Sequence, residues 1–154
     1  MKPVLSILLI CCAWGVYAEE IFPPHCTPFV VETELVKLPA TQSTVTMIHN
    51  LSSGDLWVTH SVAEAGASWS SHLQAGNWSA LVLPEKPFEL SCIESIPGHE
   101  QQVSCAGVLA VCQWAAATLP KKPSDTPWAA EDMLLSPLIA YIRRQGFVLT
   151  PTAQ

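Results

Sequence analysis

Residues 43–62, STVTMIHNLSSGDLWVTHSV, decide the fold class because they contain two strand-like runs separated by a turn. Residues 43–51 and 56–62 are rich in Val, Ile and Thr and alternate between apolar and polar side chains. Between them, residues 52–55 (Ser-Ser-Gly-Asp) form a turn-rich tetrapeptide. The stretch therefore predicts antiparallel β-structure with one buried side.

Pairing Leu51 with Leu56 makes these two runs a hairpin. Because side chains alternate along a strand, His49 and His60 then lie as diagonal neighbours on the apolar face. Trp57 points to the opposite face.

The same pattern continues on both sides of this stretch. Residues 29–36 read as a strand, residues 68–73 and 78–83 as a second hairpin around residues 74–77, and residues 88–95 and 101–106 as a third. Turns recur every 8–15 residues without βαβ alternation. The prediction is a mainly β protein, an antiparallel β-sandwich with a short helical C-terminal appendage.

The N-terminus has the pattern of a secretory signal peptide. Lys2 precedes an apolar run, and Ala18 follows it as a small residue at a cleavage site. Residues 1–18 are therefore predicted to be removed, which leaves no stable membrane span and places the protein in the periplasm or outside the cell. An uncleaved anchor, or a lipoprotein signal at Cys11 or Cys12, remains an alternative.

The rest of the chain divides into three predicted parts. Residues 19–118 form the β-sandwich domain, residues 119–127 a Pro-rich linker, and residues 128–154 a helical appendage. In the appendage, a helical turn or two from Trp128 precedes a helix from Ser136 to Arg144 that ends at Gly146. Residues 107–114 fit a strand or a short helix equally well.

Four cysteines remain after the predicted cleavage, and an exported chain with an even number favours disulfides. If Gly98 and His99 are the two central residues of the third hairpin, Cys92 and Cys105 lie directly opposite each other. That pairing leaves Cys26 for Cys112.

The composition excludes some function classes. A formal net charge of −6 argues against nucleic-acid binding, which requires a basic surface. Only 13% of residues are charged, so Ser, Thr, Asn and Gln must supply much of the polar surface.

Two kinds of chemistry remain as alternatives. His49 and His60 are weak metal-ligand candidates, and no His or Cys block with ligand spacing supports them. No nucleophile-elbow motif is present, so a small secreted hydrolase is a second alternative with little support. We therefore expect neither an enzyme nor a bound cofactor.

The tryptophans are the strongest candidates for recognition. Trp57 and Trp128 are candidate binding-surface residues because an exposed indole can stack on a sugar or anchor a protein. Trp69 and Trp78 are expected in the core. Asn50 and Asn77 also begin Asn-x-Ser triplets, the acceptor pattern for N-glycosylation.

Several short motifs give the chain a family resemblance. They are WSSHLQAGNWSALVL from Trp69, FELSCIESIPG from Phe88, Val103-Ser-Cys, and Val108-Leu-Ala-Val-Cys. Over about residues 45–112 the chain resembles the small exported enhanced-entry B-type proteins of intracellular bacterial pathogens. The resemblance implies a role in host-cell entry or virulence and brings no catalytic residues.

Together these features predict a non-enzymatic, exported, disulfide-bonded β-sandwich protein that binds another macromolecule, a protein or a glycan. A periplasmic metal-binding protein using His49 and His60 is the alternative.

Overall fold

The computed structural model describes residues 21–38, 44–62, 66, 68–82, 87–118 and 128–149. The predicted signal peptide and the predicted linker lie outside these residues. The described elements are β1 (Thr27–Phe29), β2 (Val36–Leu38), β3 (Thr44–Asn50), β4 (Leu56–Val62), β5 (Ser68–Leu73), β6 (Trp78–Val82), β7 (Phe88–Glu94), β8 (Gln101–Val103), β9 (Leu109–Thr118), β10 (Trp128–Met133), α1 (Leu135–Arg144) and β11 (Val148–Leu149).

The strands form two antiparallel sheets that pack together, as a β-sandwich requires. Sheet 1 has the order β1-β9-β3-β6-β10, with β11 also pairing β9. Sheet 2 has the order β2-β7-β4-β5, with β8 also pairing β7. The predicted mainly β sandwich with a C-terminal helix is confirmed.

The strand pairing differs from the prediction. β3 pairs with β6 and β9, whereas β4 pairs with β5 and β7, so the two runs of the opening stretch belong to different sheets. The second predicted hairpin is wrong for the same reason, since β5 lies in sheet 2 and β6 in sheet 1. Residues 51–55 and 74–77 therefore cross between the sheets.

Asn50 explains why the first crossing replaces a hairpin turn. Its amide Nδ2 donates to the carbonyl oxygens of Gly54 (2.9 Å) and Leu73 (3.0 Å), and its Oδ1 accepts from the backbone N–H of Ser52 (2.9 Å). The buried Asn50 side chain thus bonds backbone N–H and C=O groups of the loops, which in a hairpin would be bonded by the partner strand.

Sheet 1 is buried on both of its faces. One face joins sheet 2 in the inter-sheet core. The other is covered by α1 and by the arm around Cys26 and forms a second, outer core. The members of the outer core are Cys26, Val45, Met47, Trp78, Ala80, Cys112, Trp114, Ala116, Trp128, Ala130, Leu138, Ile142 and Phe147.

Both predicted disulfides are present, Cys26–Cys112 with a Cα–Cα distance of 5.5 Å and Cys92–Cys105 with 5.4 Å. They fit an oxidising compartment. The hairpin register used to predict Cys92–Cys105 is wrong, however, because Cys92 lies opposite Val103.

The turn between β7 and β8 accounts for this two-residue difference. The backbone N–H of His99 donates to the Ile96 carbonyl (2.8 Å), so Pro97 and Gly98 are the central residues. Gly98 has φ 80°. A positive-φ glycine at the second central position, with proline at the first, is typical of a type II turn. Cys105 reaches Cys92 from just beyond the end of β8.

The start of the predicted helical appendage is also wrong. Trp128–Met133 is strand β10, paired with β6 at the edge of sheet 1. Its Ala and Glu residues favour a helix, but pairing and burial of Trp128 outweigh that weak preference. The following helix is confirmed as α1, and Gly146 (φ 92°) ends it by donating to the Arg143 carbonyl (3.0 Å). Residues 107–114, left open between strand and helix, lead into and form part of β9.

Candidate functional site

The outer face of sheet 2 contains Trp57, and the described elements leave this face open. Along β4, Leu56, Val58, His60 and Val62 are buried, whereas Trp57, Thr59 and Ser61 are half-buried. This alternation confirms that Trp57 points away from the core.

The register of sheet 2 sets the neighbours of Trp57. We call this surface the Trp57 face; its nine outward positions are Trp57, Thr59, Ser61, Ser68, Ser70, His72, Glu89, Ser91 and Ile93. Trp57 lies between His72 and Ile93, and its ring meets the imidazole edge-on, with centroids 5.2 Å apart. The Trp57 face thus combines one indole with a row of hydroxyl groups.

The Trp57 face carries little charge. Two of its hydroxyl groups, Thr59 Oγ1 and Ser70 Oγ, form a hydrogen bond between β4 and β5 (2.8 Å). Glu89 lies at the end far from Trp57, and its carboxylate is 3.8 Å from Lys37 Nζ. A neutral polar ligand at Trp57 would therefore contact mainly hydroxyl groups, Ile93 and His72.

His72 joins two carboxylates from different parts of the chain. Its Nε2 is 3.3 Å from Asp55 Oδ2, and its Nδ1 is 3.6 Å from Asp132 Oδ2. Asp55 also accepts from the backbone N–H of Ala75 (3.1 Å). We call Asp55, His72 and Asp132 the carboxylate clamp.

Asp132 is the most heavily bonded member of the clamp. Its Oδ1 accepts from Gln74 N (2.8 Å) and Asn77 Nδ2 (2.9 Å), and its Oδ2 accepts from Gln74 Nε2 (3.0 Å). Partial burial alone would raise the pKa of Asp132, but these hydrogen bonds and that from His72 favour the carboxylate and lower it.

The backbone conformation at Asp132 directs its side chain towards these hydrogen-bond partners. Its φ is 55°, and the register of β10 shifts between Ala130 and Met133. Such a bulge turns a side chain away from the regular alternation of the strand. Because of this shift, Asp132 in β10, the edge strand of sheet 1, bonds Gln74 and Asn77 in the loop that follows β5 of sheet 2.

The geometry gives the clamp a structural role. Both ring nitrogens of His72 face carboxylates, so neither is directed at a nucleophile, as a hydrolase would require. Among the described residues, no cluster of three or more His, Cys, Asp or Glu side chains has the arrangement of a metal site. Sequence reasoning missed the clamp because it treated Asp132 as helical.

His49 and His60 do not approach each other. His60 points into the inter-sheet core and stacks on Trp69, with centroids 4.8 Å apart. His49 belongs to sheet 1, on the face that points away from the inter-sheet core. It stacks on Trp78 with ring centroids 4.1 Å apart. The predicted joint metal site is therefore wrong, because its register placed both histidines on one face of one hairpin.

Burial controls the protonation of both histidines. His60 is 1% exposed, and loss of hydration lowers its pKa to about 4, in spite of backbone hydrogen bonds at Trp69 and Val58. Burial also lowers the pKa of His49, against a backbone hydrogen bond at Gly76. His60 is therefore a neutral core residue at physiological pH.

The second tryptophan candidate is a core residue. Trp128 is 5% exposed and packs against Phe147 (centroids 4.7 Å) and Tyr141 (6.2 Å). The prediction of Trp128 as a surface residue is wrong because β10 directs its indole under α1. Trp78 is buried as predicted, and Trp69 is half-buried.

The two Asn-x-Ser triplets have occupied amides in the folded chain. Asn50 is 0% exposed, with its Nδ2 donating twice to backbone carbonyls. Asn77 uses its Nδ2 to bond Asp132. Glycan attachment at either nitrogen would remove these contacts.

No family model matches this sequence, and comparison with curated proteins and with solved structures gives no match either. The resemblance to the enhanced-entry proteins therefore stays a prediction. Over the part of the chain that the structure describes, no helix has the length and apolar character needed to cross a membrane.

Proposed function

We propose that this chain is an exported, non-enzymatic protein that binds an uncharged glycan through the Trp57 face. The main support for the proposal is the half-buried, outward-pointing indole of Trp57, which lies among hydroxyl side chains on the open outer face of sheet 2. The equivalent face of sheet 1 lies under α1 and is apolar.

The composition of the face favours a glycan over a protein. Protein interfaces are depleted in Ser, and Ser and Thr are under-represented among residues that dominate protein binding. A hydroxyl group both donates and accepts hydrogen bonds, which suits the hydroxyl groups of a sugar. The indole adds a flat apolar surface beside these polar groups.

The position of His72 supports the same site. The clamp fixes His72 from the side of the crossing loops, and His72 meets the Trp57 ring edge-on. Because the clamp already restricts the His72 ring, the ring loses less conformational entropy when a ligand binds to it.

The export and entry parts of the proposal rest on other features. The N-terminal pattern and the two buried disulfides support an exported protein. We propose that glycan binding serves attachment to host cells, as the sequence resemblance implies.

The test is binding of the purified, disulfide-intact protein to immobilised neutral glucan and chitin oligosaccharides, with heparin as the anionic comparison. We expect binding to a neutral chain, and we expect Trp57→Ala to weaken it at least tenfold, the equivalent of about 1.4 kcal/mol. Trp57→Phe should restore part of the affinity because it retains an aromatic face.

Leu134→Ala is the matched control, since Leu134 is a large exposed apolar residue (64%) outside the Trp57 face. It should bind like the wild type. Equal binding by wild type and Trp57→Ala would contradict the proposed site. If a protein partner is captured in a Trp57-dependent manner, the Trp57 face is still the binding site, but its ligand is a protein and not a glycan.

A further inference from the structure

The edges of the two sheets are not protected equally. β1 contains Pro28 and has three residues, and β10 carries Glu131 and a register shift. β2 and β8, three residues each, share one side of β7. Short strands, proline, charge and bulges are the usual devices against pairing with another chain.

β5 has none of these devices. It is six residues long (Ser68–Leu73), pairs with β4 without a register shift, and contains no Asp, Glu, Lys, Arg or Pro. No other described strand pairs with its second side. An edge strand of this kind presents backbone N–H and C=O groups with which another strand can pair.

Trp69 supplies a second observation at the same edge. Its side chain points inward, stacks on His60 and packs against Phe88 (centroids 5.7 Å). It is nevertheless only half-buried, whereas its inward neighbours Ser71 and Leu73 are buried. A further strand beside β5 would cover the exposed part of this indole.

The carboxylate clamp defines the open part of the edge. Asp132 accepts from the backbone N–H of Gln74 (2.8 Å), so β10 closes this edge just beyond the C-terminal end of β5. Among the described strands, none pairs with this edge between Ser68 and His72, and Ser68 and Ser70 are exposed there.

We propose that β5 is the docking edge for a second copy of this chain. Two β5 strands would pair antiparallel about a twofold axis at Ser70, which joins two copies of sheet 2 into one continuous sheet. In this register Ser70 lies opposite Ser70, and Trp69 lies opposite Ser71 of the second copy.

The sequence of β5 suits pairing with itself. A twofold axis places equivalent surfaces together, so a charged strand would meet its own charge, and β5 avoids this repulsion. The register places each large side chain opposite a small one, Trp69 against Ser71 and His72 against Ser68. Side chains that face the core in one copy continue the core-facing row of the other.

Pairing would also double the Trp57 face, because the outer faces of both copies would form one surface. Two sites on one rigid body bind a repeating ligand more tightly than either site alone. The dimer itself does not depend on the proposed glycan binding.

Analytical ultracentrifugation of the disulfide-intact protein over a range of concentrations tests the proposal. We expect a concentration-dependent dimer, and we expect Ser70→Lys to raise its dissociation constant at least tenfold by opposing two cations at the axis. Ser91→Lys is the matched control, since Ser91 lies on the same outer face within the central strand β7 and should leave the dimer intact.

Ser70→Cys gives an independent readout. Two opposed cysteines at the axis lie within disulfide range, so mild oxidation should yield a covalent dimer, while Ser91→Cys should not. A wild-type protein that stays monomeric at all concentrations would overturn the proposal. So would a dimer that Ser70→Lys leaves unchanged.

Discussion

The outer faces of the two sheets follow the same alternation and have opposite chemistry. The outward side chains of sheet 1, including Trp78, Trp114 and Trp128, are buried under α1 and the N-terminal arm. The outward side chains of sheet 2 are mostly hydroxyl groups around Trp57. An outward-pointing tryptophan in this fold is therefore a core residue on sheet 1 and a candidate ligand contact on sheet 2, and alternation within one strand cannot distinguish the two.

Replacing one indole on each face should separate these roles. Trp128→Ala removes a fully buried side chain from the outer core and should lower the free energy of unfolding by about 3–5 kcal/mol. Trp57→Ala, on the open face, should lower it by less than about 1.5 kcal/mol. Urea unfolding with the disulfides intact measures both, and equal losses would contradict the contrast between the faces.

A smaller effect is expected beneath the open face, at His60. The unfolded chain binds a proton at His60 near pH 6.5, whereas the folded chain binds it only near pH 4. Stability should therefore fall as the pH drops from 6.5 to 4, by up to about 3 kcal/mol. At pH 7 and above, this residue contributes no pH dependence.

His60→Phe isolates that effect because Phe keeps an aromatic ring between Trp69 and Phe88. The variant should lose less stability than the wild type between pH 7 and pH 4 in urea unfolding. His49→Gln is the comparison on sheet 1, where a half-buried imidazole should give a smaller change of the same sign. If wild type and His60→Phe show the same pH dependence, the assignment to His60 is wrong.

In the middle of the chain, strand positions could be predicted from the sequence, but most strand partners could not. Alternation located β3 to β7 to within a few residues. The tetrapeptides at 52–55 and 74–77 are compatible with a hairpin turn and with a crossing between sheets. The decisive contact is the buried Asn50 amide, whose partners include Leu73, 23 positions away.

In the candidate site too, the direction of a side chain could be predicted from the sequence, but a long-range contact could not. Local alternation predicted that Trp57 points outward, because its neighbours Leu56 and Val58 are apolar. His72 and Asp132 could not be brought together from the sequence, since they are 60 positions apart and belong to different sheets. Their contact depends on β10 being an edge strand, and its Ala-Glu-rich sequence indicated a helix.

An NMR titration of the ¹⁵N-labelled protein with the neutral oligosaccharide that it binds best tests most directly whether the Trp57 face is the glycan-binding site. We expect shifts of the Trp57 indole N–H and of outward residues in β4, β5 and β7. The indole signals of Trp114 and Trp128 should remain unchanged. Shifts concentrated at Trp128 and α1, with Trp57 unmoved, would contradict this assignment.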